Sequence, residues 1–317
     1  MRVIVTGATG FLGGVLARLL SDRGHAVVAT GRDQKKLATL KRERVDVVAL
    51  DLTDSNAPSL TCDAFVHCAA LSSPWGRRSE FHRANVVGTQ GAIALARASG
   101  ARRFVNISTP SVYFRFQDQI GVREDAPLPP PINAYANTKR QAEQLILAAA
   151  DLDPIVLRPR GLYGPGDTTL LPRLLAAAQA RALPLMNGGR AATDLTYIDD
   201  VAEAAYAALA ISTPVQQRIF NISGGTALNV REVAERAAEK AGQSIRWRNM
   251  PPWLVLAYAR ASEYVCASLP KRPEPVTTAY GAALFAFTQT LNIEAAKRHL
   301  GWSPRVDFTD GLARTFE

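Results

Sequence analysis

The sequence predicts an α/β fold, a doubly wound parallel sheet with a smaller C-terminal domain, on three observations. Short apolar runs alternate with helical stretches through the first half of the chain, the pattern of parallel strands joined by right-handed crossovers. The first run, Val3-Ile4-Val5, enters a glycine-spaced turn at Thr6 to Gly14 that leads into the apolar ladder Leu12, Leu16, Leu19 and Leu20. Polar and small residues fall at the ends of the runs, which places them on one rim of the sheet, where ligands bind.

Taken in order, Gly7, Gly10 and Gly13 have the spacing at which a chain turns tightly, lets backbone N–H groups approach a pyrophosphate and packs a helix closely on a sheet. With Thr9, Phe11 and Leu12 they form a candidate dinucleotide loop, and the fold class becomes Rossmann-type. The helix that follows stops near Gly24, and His25 to Thr30 forms a second strand running into Gly31-Arg32-Asp33. An NAD site places an acid at this strand end and an NADP site a base. Thr30 and Gly31 stand where the acid is expected and Arg32 follows, with Lys35 and Lys36 one turn on, so NADP is favoured over NAD. Asp33 is the competing residue, since a slip of one or two positions returns an acid to the ribose.

Val45 to Leu50 reads as a third strand, with Asp51-Leu52 at its end placed beside the adenine. A fourth, Ala64 to Ala70, closes on the small residues Cys68, Ala69 and Ala70, which suit close passage of a cofactor, while His67 reads as a packed strand residue. Asn85 opens an Ala-rich helix, and Arg103 to Ser108 forms the fifth strand, ending at Ile107, Ser108 and Thr109. Beyond a Pro-rich loop, Asn133 to Lys139 opens another helix. Tyr135 and Lys139 are i and i+4 there and share a face, with Ala142 and Ile146 continuing it towards the sheet. A cation near a phenol favours the phenolate, and moving a tyrosine from about 10 towards 7 requires roughly 4 kcal/mol of differential interaction. A hydroxyl from the fifth strand would orient the substrate oxygen.

The composition narrows the partners. At 317 residues and 47% apolar content the chain can bury a large core. Its formal charge of +9 suits an anionic ligand, a dinucleotide, an acidic substrate or a lipid surface. Lys and Arg are scattered rather than interleaved with aromatics, so nucleic acid is not expected. Three cysteines and four histidines, all dispersed, give neither a disulfide framework nor a metal-ligand spacing. No leader segment fits before the first strand and no run reaches membrane-spanning length, so a cytoplasmic protein is expected, with membrane-surface contact open and a homodimer as the assembly.

These motifs resemble the extended short-chain dehydrogenase/reductase family, that is the NAD-dependent epimerase/dehydratase family, over nearly the whole chain. The match runs through T-G-x-x-G-F-L-G at Thr6 to Gly13, Asp51-Leu52, His67 to Ala70, Asn85 to Thr89, Y-x-x-x-K at Tyr135 to Lys139 and R-P-x-x-x-Y-G-P-G-D at Arg158 to Asp167. The resemblance implies that Tyr135 is the acid/base, that Lys139 binds the nicotinamide ribose and lowers the tyrosine pKa, and that Pro159, Arg160, Gly161 and Leu162 lie near the nicotinamide. The family's serine falls on Thr109 when counted back from Val112-Tyr113, with Ser108 and Ser111 as near alternatives. Nucleotide-sugar epimerases of the family commonly carry an arginine where Thr193 stands before Asp194, which weakens that reading. The tail resembles the 3β-hydroxysteroid dehydrogenase-like branch.

Further along, Thr169 to Ala182 and Val201 to Leu209 read as helices, with Asp199 and Asp200 capping and bracing the second. Trp253, Leu254, Leu256, Tyr258 and Tyr264 either roof an apolar substrate pocket or form an ordinary core-facing helix. The expected division is a dinucleotide-binding domain over 1–165, rejoined by 194–222, with 166–317 mostly binding a small-molecule substrate. The expected activity interconverts a ketone and a secondary alcohol on an apolar or carboxylated substrate of the 3β-hydroxysteroid or 3-ketoacid type. The alternatives are a nucleotide-sugar epimerase or dehydratase with tightly bound NAD and a non-catalytic NADP-sensing regulator.

Overall fold

Seven parallel strands organise the chain in the computed structural model, which describes residues 1–43, 45–54, 58–211 and 216–317. Across the sheet they run Ile219–Ile222, Pro154–Pro159, Arg103–Ile107, Ala64–His67, Arg2–Thr6, Ala26–Gly31 and Asp46–Ala49. The order reverses beside the first strand, so its carboxyl end opens into the crevice where a doubly wound sheet takes its ligand. Val3, Ile4 and Val5 are fully buried, and on the Phe11–Asp22 helix Leu16 and Leu20 are too. Each such side chain contributes about 2 kcal/mol by leaving water. Leu19 of the predicted ladder is only partly buried, at the edge of the same core.

The predicted strands form with ends shifted by up to three residues, the first lengthened to Arg2–Thr6 and the largest change being Cys68 to Ala70, which leave the sheet. The Ala-rich helix, Gly88–Ala98, is preceded by a π-helical turn at His82–Val87 that the residue pattern did not foretell. Its wider turn holds Asn85 against two elements at once. The Asn85 amide accepts from the Leu71 N–H at 2.7 Å and donates to Leu71 O and Thr138 Oγ1 at 3.2 and 3.0 Å. Gly91 in the next helix is forced by proximity, since a Cβ there would lie 1.9 Å from Leu52 O.

The chain returns to the first sheet after residue 194. The Ile198–Ala210 helix packs on Phe11–Asp22, and Ile219–Ile222 adds the outer strand beside Pro154–Pro159. Asp199 and Asp200 lie inside the first turn of this helix rather than before it. Asp200 is buried and accepts from the Arg305 and Val306 amides, each at 3.0 Å, so it braces the C-terminal loop as expected, but neither aspartate caps the helix: Tyr197 is its N-cap, with no side-chain capping bond. A second sheet joins Leu228–Asn229, Ala192–Thr193, Gln289–Leu291 and Gln119–Val122, drawing one strand from the first 165 residues.

The Pro252–Ser268 helix corrects both expectations for its aromatic residues. It buries only Val255 and Ala259, while Trp253, Leu254, Tyr258 and Tyr264 face solvent. They do not enter the core and among the described residues cover no pocket, because the helix packs on Ala279–Ala286 along the opposite, small-residue face. No helix among the described residues is long and apolar enough to cross a membrane.

Candidate active site

The glycine loop is shaped by approaches that admit no side chain. Gly7 has φ +67°, and a Cβ there would lie 2.6 Å from the Ala69 amide nitrogen; one on Gly13 would lie 2.3 Å from Gly7 O. The first contact seats the loop on the end of the fourth strand, and the second seats the helix on the loop. Gly10 is the helix N-cap, and neither a capping side chain nor an acidic residue in the first turn satisfies the free N–H groups. A helix start without a protein anion, opening on the carboxyl rim, fits the pyrophosphate of a dinucleotide.

At the second strand end Thr30 is buried and Gly31 lacks room for any side chain, since a Cβ would meet Thr9 Cγ2 at 2.6 Å. Asp33, the competing acid, accepts from the Lys35 and Lys36 amides at 3.0 and 3.1 Å and caps the Gln34–Arg42 helix. Arg32 is exposed, with Nη1 3.8 Å from Asp51 Oδ2. Asp51 accepts from the Thr53 amide and hydroxyl at 3.0 and 2.9 Å. The amide bond above all, helped by the hydroxyl and by Arg32, holds its carboxyl below the usual range.

Asn133 caps the Ala134–Ala148 helix by accepting from the Ala136 amide at 2.8 Å, which fixes the start of the turn carrying Tyr135 and Lys139. Ala142 and Ile146 bury below them, as the shared face predicts. Lys139 Nζ donates to Ile107 O at 2.7 Å, and burial pushes its pKa down to about 8, against the pull of the Glu143 carboxylate. The Ser72 and Thr109 hydroxyls beside the Tyr135 phenol pull its pKa down, but burial dominates and holds it above the ordinary tyrosine value. The depression expected from Lys139 is therefore not produced by these side chains alone.

The two neighbouring hydroxyls belong to different networks. Thr109 Oγ1 accepts from the Ser111 amide at 3.2 Å and lies 3.0 Å from Ser111 Oγ, which in turn meets Tyr280 OH at 2.9 Å. Ser108 donates to Glu143, whose carboxylate also takes Arg158 Nε and Nη2 at 2.9 and 2.5 Å in a buried ion pair. Arg160 turns into the second sheet, donating to Thr193 Oγ1 at 3.2 and 3.1 Å and to Gln289 Oε1, so its guanidinium is committed to protein acceptors. Pro159 ends the sixth strand, in chain order, of the seven-stranded sheet, and Gly161 beyond it has φ +53° with Asp194 O only 2.9 Å from where its Cβ would stand.

His67 is a core residue, as expected. Its Nδ1 lies 2.8 Å from Thr6 Oγ1 and its Nε2 3.2 Å from Thr89 Oγ1. Thr89 spends its own proton on Asn85 O, so the network assigns the proton of the ring to Nε2. Burial and, less, Lys139 push His67 down to about 3, and burial pushes the Cys68 thiol up to about 12; both stay neutral. The residues that sequence reasoning missed are Ser72, Tyr280, Asn85 as a brace and Glu143. Only Glu143 left a signal, four residues after Lys139 on the same helical face.

The model of the NAD dependent epimerase/dehydratase family matches residues 3–223. The chain is 34% identical over 330 residues to 2-alkyl-3-oxoalkanoate reductase of Stenotrophomonas maltophilia, covering 99% of this chain and 98% of that protein. It is 31% identical over 319 residues to 4-hydroxy-2-methyl-3-oxo-4-farnesyl-3,4-dihydroquinoline-1-oxide ketoreductase of Stigmatella aurantiaca, covering 98% and 95%. Its fold is similar to that of UDP-glucuronic acid 4-epimerase from Bacillus cereus in complex with NAD, with TM-score 0.77, 23% identity and coverage of 100% and 97%.

Proposed function

The chain belongs to the NAD dependent epimerase/dehydratase family and is an NAD(P)-dependent enzyme, and on that premise we propose that it interconverts a ketone and a secondary alcohol. The substrate is apolar or carboxylated, of the 3-ketoacid or 3β-hydroxysteroid type, and NADP is the favoured cofactor. One observation carries this reading: the Thr109 and Ser72 hydroxyls lie beside the Tyr135 phenol, one helical turn from the buried Lys139 ammonium. The names of the two reductases support it, since both describe a 3-oxo group beside an alkyl or farnesyl chain.

The Gly7–Gly13 loop would hold a dinucleotide, which would supply the hydride and, in its oxidised form, a positive charge. Tyr135 gives its proton to the carbonyl oxygen in reduction and takes it back in the reverse direction. Thr109 holds that oxygen by a hydrogen bond. Lys139, fixed by Ile107 O, favours the phenolate and so works against the burial that raises Tyr135. Ser108 acts here as a positioning residue, its hydroxyl engaged by Glu143. At the far end Arg32 meets a 2′-phosphate, a role supported by the side-chain-free Gly31 and by the commitment of Asp33 to a helix cap. A cytoplasmic homodimer accompanies this reading.

Tyr135→Phe tests it. With NADPH and a series of 3-oxoacyl and 3-ketosteroid substrates, the variant loses about 10²- to 10⁴-fold in kcat; equal rates for variant and parent overturn the tyrosine mechanism. The epimerase reading is opposed by Thr193, whose hydroxyl accepts from Arg160. Stoichiometric NAD released from denatured protein would restore that reading, and tight NADPH binding with no turnover would favour a sensor.

A further inference from the structure

The Pro252–Ser268 helix presents an apolar face of a kind that water does not favour. At about 100° per residue, Trp253, Leu254, Tyr258, Arg260, Tyr264 and Val265 fall within one arc of roughly 160°, and all six are exposed. Trp253 is 70% exposed, Tyr264 76% and Tyr258 57%. Beyond the helix in the chain, Leu269 and Val276 are exposed as well. Scattered exposed apolar residues are ordinary, but a contiguous aromatic patch marks an interaction surface.

The charges around it have one sign. Arg260 lies within the face, its guanidinium 5.0 Å from the Phe116 ring centre. Lys271 and Arg272 follow the helix directly, and the Trp75–Arg78 segment is tied beside them by Arg77 Nη2 to Pro270 O at 3.4 Å and Trp75 Nε1 to Arg272 O at 3.1 Å. Among the described residues none of Arg77, Arg78, Arg260, Lys271 and Arg272 forms an ion pair. The nearby acids are engaged: Glu263 accepts from the Ala279 amide at 2.9 Å, Glu274 pairs with Arg173 at 3.0 Å, and Glu80 accepts from the Arg77 amide at 3.2 Å.

We propose that this face docks the enzyme reversibly on an anionic lipid surface. Trp and Tyr rings suit the headgroup layer, being apolar in body and polar at the tip, and unpaired cations at the margin meet lipid phosphates. Both signals are present together, as reversible binding without a lipid anchor requires. A second copy of the chain is a poorer occupant. A two-fold contact through this face would set Arg260, Lys271 and Arg272 against their own equivalents with no acid to answer them.

The test is co-sedimentation of the full chain with phosphatidylcholine vesicles, with and without phosphatidylglycerol, at low and high salt. Binding is expected to the phosphatidylglycerol vesicles at low salt and to fall steeply with salt. Trp253→Ser/Tyr264→Ser and Lys271→Glu/Arg272→Glu each weaken it by about tenfold or more, while melting temperature and ketone reduction in solution stay as in the parent. Absence of vesicle binding overturns the proposal, as does equal binding with and without phosphatidylglycerol or by parent and variants. A parent dimer that Trp253→Ser/Tyr264→Ser dissociates in sedimentation velocity assigns the face to a second copy and overturns it too.

Discussion

Lys139 donates from Nζ to the carbonyl oxygen of Ile107 at 2.7 Å, so the helix that carries Tyr135 is joined to the fifth strand by a buried cation. That burial lowers the lysine from 10.5 to about 8, and a lowered lysine has a definite linkage sign. Below about 8 both folded and unfolded chains hold the proton, and the fold carries the full cost of the buried charge. Between about 8 and 10.5 the unfolded chain holds a proton that the native state has released, so stability rises with pH. The rise is of the order of 3 kcal/mol. Urea unfolding at steps across this window should show it in the parent and a flatter profile in Lys139→Met, whose ketone reduction falls as well; parallel profiles would refute the buried-cation account.

Ser108 and Thr109 are adjacent, yet their variants should fail differently. Thr109→Ala removes the hydroxyl beside the Tyr135 phenol and is expected to lower kcat by about 10² or more, with modest loss of stability. Ser108→Ala removes a donor from a buried carboxylate and is expected to cost about 1–3 kcal/mol of stability while kcat changes little. Steady-state kinetics beside denaturant melts separate the two. A larger kcat loss for Ser108→Ala would move the catalytic hydroxyl to that position.

What could be read in the chain beforehand was what local spacing dictates. Gly7 is required by its own φ of +67° and Gly13 by a backbone approach to Gly7 six residues earlier, and Tyr135 and Lys139 share a face because four residues make about one helical turn. Contacts between distant segments left no such trace. Ser72 reaches Tyr135 from the loop after the fourth strand, and Tyr280 reaches Ser111 from a helix 169 residues away. The aromatic residues of Pro252–Ser268 misled for a different reason: apolar content forecasts burial, but which face of a helix is covered depends on what packs against it. Here Val255 and Ala259 meet the neighbouring Ala-rich helix and Trp253 and Tyr264 do not.

Arg32 is exposed and among the described residues is held only by a 3.8 Å approach to Asp51, which leaves it able to turn towards a 2′-phosphate. Arg32→Ala is expected to weaken NADPH binding by roughly 1.5 to 3 kcal/mol, the worth of a charge-assisted hydrogen bond, and to leave NADH nearly unchanged. Fluorescence titration with both cofactors reads the difference, and equal losses would remove Arg32 from the phosphate site. Installing an acid at Gly31 is not the complementary experiment, because a Cβ there collides with Thr9.

Glu143 and Arg158 form a two-point ion pair whose side chains are 4% and 2% exposed. Burying such a pair costs much of what its attraction returns, but removing one partner strands the other charge. Glu143→Gln is therefore expected to cost about 3–5 kcal/mol, whereas Glu143→Leu/Arg158→Met, which removes both charges, should recover most of that loss. The same carboxylate supports the charged form of Lys139 one turn earlier on the helix, so Glu143→Gln also lowers that lysine further and moves the rise in stability to lower pH. A double-mutant cycle by urea unfolding measures the coupling with Arg158, and repeating it across alkaline pH measures the coupling with Lys139. An additive cycle would mean that the pair contributes no mutual stabilisation, and an unmoved pH profile would detach Glu143 from the lysine.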